Sequence, residues 1–154
     1  MSEPWESDWA LAHAATLARS FRHWLGRDLL PPLGEPPRLA EALFHAPFVL
    51  VSHGTEVDPV LNYGNRAALT RWEMSWAELT HTPSRLTAEP VAREERARLL
   101  AEVTRHGHIA NYAGVRIAKS GQRFRIRDAV VWNLLDEAGT PCGQAARFDR
   151  WEDL

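Results

Sequence analysis

The sequence predicts an α+β domain: a five-stranded antiparallel sheet with a helical excursion between its second and third strands, preceded by an N-terminal amphipathic helix. Three observations predict it. An apolar stripe at three- and four-residue spacing runs through Trp9, Ala10, Ala14, Leu17, Phe21, Trp24 and Leu25. Two short apolar runs, Phe48–Ser52 and Val60–Tyr63, stand before a long stretch of helix signals. Two longer strand-like segments, Ile109–Ala118 and Arg123–Leu135, then flank the turn Lys119-Ser-Gly-Gln122.

Each element has its own local reason. Ser7 or Asp8 caps the first helix and Gly26 supplies the left-handed residue at its end. Residues 27–37 carry four prolines and read as a stiff connector. A second helix over Arg38–His45 stops before Pro47. The turn-rich segment His53–Pro59 joins the first two strands. Asn65 caps a short helix holding Ala68, Leu69 and Trp72, and Ser75-Trp-Ala-Glu78 is a capping box. After Thr82-Pro83 comes a longer helix that starts at Pro90, ends at Gly107 and buries Ala92, Leu99, Leu100 and Val103. A turn around Asp136–Pro141 leads to a last strand over Gly143–Trp151.

A two-residue turn at Ser120-Gly121 sets the register of the hairpin. Ile117 then faces Phe124, Val115 faces Ile126 and Ile109 faces Trp132, which makes one surface apolar. The same register sets Arg116 across from Arg125, with Arg123 and Arg127 beside them. Like charges so opposed need acidic partners, from the N-terminal extension, a second subunit or a bound anion, unless the run is a solvated basic stripe.

Composition bounds the rest. The chain has 154 residues, 45% hydrophobic and 25% charged, the proportions of one globular domain. A net charge of −2 gives no general pull toward nucleic acid or anionic lipid, and neither is expected as a partner. The longest apolar runs, such as Phe48–Val51, are too short to span a bilayer. The start, Met1-Ser-Glu-Pro-Trp-Glu-Ser-Asp8, has no apolar signal region, so a cytoplasmic location is expected. The one cysteine, Cys142, excludes an internal disulfide and a cysteine-based zinc site. A single lysine among 18 basic residues is a bias typical of a GC-rich bacterial genome.

Two strands, a helical excursion and three more strands is the layout of a PAS-type domain. Asp58-Pro-Val-Leu-Asn-Tyr-Gly-Asn-Arg-Ala-Ala-Leu69 resembles the segment of PAS sequences that leads into their first excursion helix. Ser120-Gly-Gln-Arg-Phe124 resembles the entry into their fourth strand. More narrowly, the chain resembles the MEKHLA domain, a PAS-related family found as small stand-alone proteins in bacteria and at the C-terminus of certain plant homeodomain-leucine zipper factors. Ser52-His53, Asp58-Pro59, Asn62-Tyr63-Gly-Asn65, Pro83-Ser-Arg85, Arg93-Glu-Glu-Arg96, Tyr112-Ala-Gly-Val-Arg116, Val131-Trp-Asn133 and Gly143-Gln-Ala-Ala146 carry that resemblance. The literal Met-Glu-Lys-His-Leu-Ala string is absent. The resemblance implies sensing or regulation and brings no catalytic residues. It divides the chain into an N-terminal helix and connector, 1–37, and a PAS-like domain, 38–154.

A fold of this type offers a cavity between the sheet and the helical excursion. On the expected apolar face, Asp128 is the one ionisable group of its strand, opposite Ala113, and Asn111 shares that face. Asp128 is either a wetted or paired carboxylate at a strand bend or a polar anchor for a ligand. Trp72, Trp76 and Trp132 should point inward, as plain core or as the wall of a pocket for a planar cofactor. Ser84-Arg85 sits where flavin-binding light sensors of the PAS type carry Cys-Arg. Ser84 cannot form their covalent adduct, which leaves non-covalent flavin or another planar molecule as the cofactor to test. Arg85 either grips an anion or pairs with Glu89. His53, His106 and His108 lack metal-ligand spacing, and no metal site is expected.

Ser52 and His53 are adjacent in a strand and point to opposite faces, so they form no nucleophile–base pair, and no enzyme motif stands out. The expected function is a sensory or regulatory small-ligand-binding module that signals by association. The alternatives are a protein-interaction module with a filled core, paired as a homodimer through the N-terminal helix or the sheet face, and a small enzyme using the same cavity.

Overall fold

A computed structural model describes residues 2–31 and 36–154. Of the proline-rich connector expected over 27–37, residues 32–35 lie outside the described residues. The chain opens with a 3-10 turn, Pro4–Glu6, followed by α1, Asp8–Leu25. The Ser7 side chain accepts the Ala10 N–H, and Gly26, with φ of 71°, closes the helix by donating its N–H to the Arg22 carbonyl. Then come α2 (Pro36–Phe44), β1 (Val49–His53) and β2 (Leu61–Gly64). The excursion consists of α3 (Arg66–Trp72), α4 (Trp76–Leu79), a 3-10 turn over Ser84–Thr87, and α5 (Pro90–His106). Four strands complete the chain: β3 (His108–Ile117), β4 (Arg123–Leu135), β5 (Pro141–Phe148) and β6 (Arg150–Asp153).

The strands pair antiparallel in the order β2-β1-β5-β4-β3. The β6 strand continues β5 past a break at Asp149 and pairs with the first part of β4, while β5 pairs with the last part. Five strands therefore lie abreast, the last one split into two segments. Among the described residues, no helix is long and apolar enough to cross a membrane.

Asn65 ties the excursion to the sheet. Its Oδ1 accepts the N–H groups of Leu50 and Ala68, and its Nδ2 donates to the carbonyls of Leu43 and Phe48. One buried amide thus caps α3 and satisfies backbone at the end of α2 and the start of β1. The expected box at α4 is present, with Ser75 and Glu78 each accepting the other's N–H. At the end of α5, Gly107 has φ of 92°, and a Cβ there would lie 2.3 Å from the Trp24 ring. Only glycine lets the chain turn there beneath that indole.

The two faces of the sheet are covered by different helices. Against α1 and α2 lie Leu50, Tyr63, Val130, Trp132 and Leu134, packed with Leu17, Phe21 and Leu43. Against the excursion lie Val49, Phe124, Ile126 and Phe148 with Trp72, and separately Val131 with Leu99 and Val103.

The β3–β4 hairpin corrects the expected register. Ile117 pairs with Arg123, Arg116 with Phe124, Val115 with Arg125 and Gly114 with Ile126, each one residue away from the expectation. The cause is the turn. Ala118 donates its N–H to the Gln122 carbonyl and Gly121 takes φ of 94°. Lys119-Ser-Gly121 is therefore a three-residue loop ending on a left-handed glycine, not a two-residue turn.

Farther along, Asn111 (φ 60°) and Asp128 (φ 52°) each insert one unpaired residue, on opposite strands. The two bulges offset each other, so Ile109 pairs with Val131 and His108, in place of Ile109, sits opposite Trp132. They also reverse which residues face the excursion: Phe124 and Ile126 before the bulge, Ala129 and Val131 after it. The expected apolar face joining Ile117 and Val115 to Phe124 and Ile126 does not form.

The shift separates the expected arginine cluster. Arg116 faces the excursion, whereas Arg123, Arg125 and Arg127 face outward. Their acidic partners come from none of the expected sources: Arg125 and Arg127 pair with Glu152 of β6, and Arg123 pairs with Glu89.

Candidate functional site

Between the excursion and the sheet lies a cavity of about 70 Å³. Its walls are largely apolar. Leu99 and Leu100 of α5 form one side, Ile126, Val131 and Phe148 the sheet side, and Trp72 one end. The helix α5 presents this side because positions 92, 96, 99, 100 and 103 follow one helical stripe.

Into this greasy space come two guanidinium groups. Arg96 occupies the same stripe as Leu99 and Leu100, and Arg116 comes from β3, only 7% exposed. The Arg116 Nη1 donates to its neighbour's carbonyl, Val115 O, at 2.9 Å, and its Cζ lies over the Tyr112 ring, 5.6 Å from the centroid. Gly114 makes room for that aromatic, since a Cβ there would stand 2.3 Å from the Tyr112 hydroxyl. Arg96 donates to the Ser84 hydroxyl. Burial, and next the charge of Arg116, push the Arg96 guanidinium down to about 10.

Two more polar groups line the wall. His53 is held by its Nδ1, 2.9 Å from the Gly54 carbonyl, which makes Nδ1 the donor and leaves Nε2 a buried acceptor without a partner among the described residues. Burial lowers the His53 pKa first, the Gly54 carbonyl opposes, and the Arg96 charge lowers it further, so the neutral ring is favoured. The Gln144 Nε2 is turned away to other partners: its two N–H groups are shared among the Leu100 carbonyl, Thr104 Oγ1 and Asn133 Oδ1, each at 3.1 Å.

Of the residues expected at the site, the structure brings together two. Trp72 and Ser84 line the cavity. Arg85 points to solvent and pairs with Asp58 at 3.2 Å, not with Glu89. Asp128 and Asn111 are exposed, because each is the extra residue of a bulge, and Asp128 pairs with Arg150 at 3.3 Å. Trp132 is buried under α1, edge-to-face with Phe21 at 5.0 Å, on the opposite side of the sheet. Trp76 packs edge-to-face on Tyr63 at 5.6 Å, also away from the cavity. Among the described residues no three His, Cys, Asp or Glu side chains gather as a metal set.

Arg96, Arg116, Tyr112 and His53 are the site residues that sequence reasoning missed. Arg96 was detectable, since it falls on the stripe from Ala92 to Val103. Arg116 was not, because its inward orientation depends on the three-residue turn.

A flavin does not fit this cavity. Pockets for ligands of that size enclose several hundred Å³, roughly 300–1,000, and here Trp72, Tyr112, Phe148 and Arg116 take up the space.

The sequence profile of the MEKHLA domain matches residues 11–153, and the chain belongs to that family. No curated protein sequence matches it. Among solved structures, the fold is similar to a PAS domain from Colwellia psychrerythraea (TM-score 0.63, 14% identity, 76% of this chain and 94% of that one). It is similar also to a light-oxygen-voltage domain studied with a flavin analogue (TM-score 0.60, 16% identity, covering 76% and 84%). A third is the PAS domain, in complex with ethanol, of a LuxR-family transcriptional regulator from Burkholderia thailandensis (TM-score 0.54, 21% identity, covering 74% and 95%). At these identities the likeness defines the fold: the PAS class, with the excursion laid over the sheet.

Proposed function

We propose that this chain is a sensory or regulatory module that holds a small molecule in the cavity between α5 and the sheet and transmits its occupancy by association with another protein. The observation that carries this reading is the cavity itself, an apolar space into which Arg96, Arg116 and His53 bring polar groups, the His53 Nε2 having no hydrogen-bond partner among the described residues. Buried polar groups of that kind reduce stability and are characteristic of sites rather than of cores. The ethanol held by the Burkholderia domain is an example of a ligand of this size on the same fold. The role is binding, not catalysis, and the cavity takes a molecule well below the size of a flavin.

Native mass spectrometry with an absorption spectrum of the purified chain tests the proposal. A small, fixed, heat-releasable mass increment without a flavin band is the expected result. A mass equal to the bare chain, with no resonance of Trp72 or Tyr112 moved by a small-metabolite library, would overturn it. Self-association is the simplest route for the signal: Trp9 of α1 is 47% exposed and Trp151 of β6 41%. A sedimentation coefficient that rises with concentration is expected, and one that stays at the monomer value at every concentration counts against pairing of copies.

A further inference from the structure

Resting on that ligand-binding reading, we infer that the molecule held is a small organic carboxylate, its anion between Arg96 and Arg116 and its short apolar chain against Leu99, Val131 and Phe148.

The charges point to it. Arg123, Arg125, Arg127 and Arg150 lie at the surface, where water already stabilises them, and each has a carboxylate partner. Arg96, half-buried, and Arg116, 7% exposed, face the cavity, and among the described residues neither makes an ion pair: Asp58, which pairs with Arg85, acts on Arg96 only from beyond contact. A buried cation without a counter-ion is strongly unfavourable, and two that face the same cavity repel each other. One anion between them relieves both penalties together.

The hydrogen bonds agree. Arg116 uses Nη1 on a carbonyl, and among the described residues its one hydrogen bond to a side chain is a long 3.4 Å approach of Nη2 to the Tyr112 hydroxyl. Each guanidinium carries five N–H donors, so most remain available. Ser84 Oγ accepts from Arg96 and the Tyr112 oxygen accepts from Arg116, which leaves both hydroxyl hydrogens free to donate to the same anion. The planar guanidinium matches the two oxygens of a carboxylate.

Size and the apolar walls select the remainder of the molecule. About 70 Å³ holds on the order of five to seven non-hydrogen atoms, allowing a water about 10–15 Å³ on the same measure. Leu99, Val131, Ile126 and Phe148 line much of the remaining wall; their side chains suit a short hydrocarbon chain and offer no donor to a second negative charge. A bare inorganic anion would leave that apolar space unfilled.

The test is a titration of the full chain with sodium butanoate, 1-butanol and inorganic phosphate at constant ionic strength, read by thermal midpoint and by tryptophan fluorescence, with Trp72 on the cavity wall. Butanoate is expected to saturate and to raise the midpoint. Arg96→Met and Arg116→Met are each expected to weaken it at least tenfold, Arg116→Lys less, and Arg125→Met not at all. Butanol binding as tightly as butanoate, or butanoate binding unchanged in both methionine variants, overturns the carboxylate inference and leaves the ligand-binding reading standing. Phosphate binding more tightly than butanoate overturns it equally, in favour of an inorganic anion. No response to any of the three, together with a crystal structure showing side chains closing the cavity, overturns both readings. Should Arg116→Met fail to fold, Arg96→Met from the opposite wall decides the question alone.

Discussion

Under α1 the sheet buries Leu50, Val130, Trp132 and Leu134 against Leu17 and Phe21 in one continuous cluster. On the other side the buried side chains fall into two clusters, one around Trp72 and Phe124, the other around Leu99, Val103 and Val131, and the cavity lies along their boundary. Both sides hold aromatics in edge-to-face contact, Phe21 on Trp132 and Tyr63 on Trp76 under α1 and Trp72 on Phe124 and Phe148 under the excursion, but the α1 side is filled. The other leaves space and fills part of it with two guanidinium groups. The contrast separates work between the faces. The α1 face supplies stability, and the excursion face gives some up to keep a polar, partly empty interior.

Three measurements break or sharpen that contrast. The largest effect is expected on the closed face: Trp132→Ala should cost about 4 kcal/mol, because it empties a fully buried site that α1 cannot move in to fill. A urea midpoint close to wild type would show that the two faces are not differently packed.

The second effect comes from His13, which α1 presses between Trp9 and Tyr63 with Nε2 2.8 Å from Ser52 Oγ. Burial lowers its pKa from 6.5 to about 4. Between those values the unfolded chain takes up a proton that the folded ring refuses. Stability is therefore full above about pH 6.5 and falls as pH drops through the window, by up to about 3 kcal/mol at pH 4. His53, lowered for the same first reason, adds to the fall. Chemical denaturation at pH 7 and pH 4.5 should show the loss in wild type and a smaller one in His13→Gln. Parallel profiles would contradict the burial account.

The smallest effect belongs to the cavity. Arg116→Met keeps the stem and removes an unpaired charge, so the ligand-free variant should lie within about 1 kcal/mol of wild type or above it. A loss of 3 kcal/mol or more, which is what breaking a buried ion pair costs, would mean that Arg116 has a structural partner after all.

The elements were legible because their signals are local. Ser7, Asn65, the Ser75–Glu78 box, Pro90 and Gly107 each mark a helix end through the backbone next to them in the chain, whatever distant residues do. The layout, and with it the cavity's position, followed from their order. The identity of the site residues did not, because it depends on side-chain phase in β3 and β4. That phase is set by one loop residue and two bulges. Ser-Gly in the turn reads equally as a two-residue turn or as the end of a three-residue one, and the choice decides whether Arg116 or Val115 faces inward. Asn111 and Asp128 were singled out for being polar on an apolar face. Their chemistry pointed instead to the bulge, since Asn and Asp tolerate positive φ better than other non-glycine residues.

Because the pleat alternates with every residue, Asp128 works as a phase switch for five neighbours. Deleting it would rotate Arg123 through Arg127 by half a period against the sheet. Arg125 and Arg127 would then point at the space that Phe124 and Ile126 now fill, and those two would be turned out to water. Insertions and deletions at this position therefore act on the whole inner surface at once, and a chain that keeps the interior described here has to keep the length of this strand.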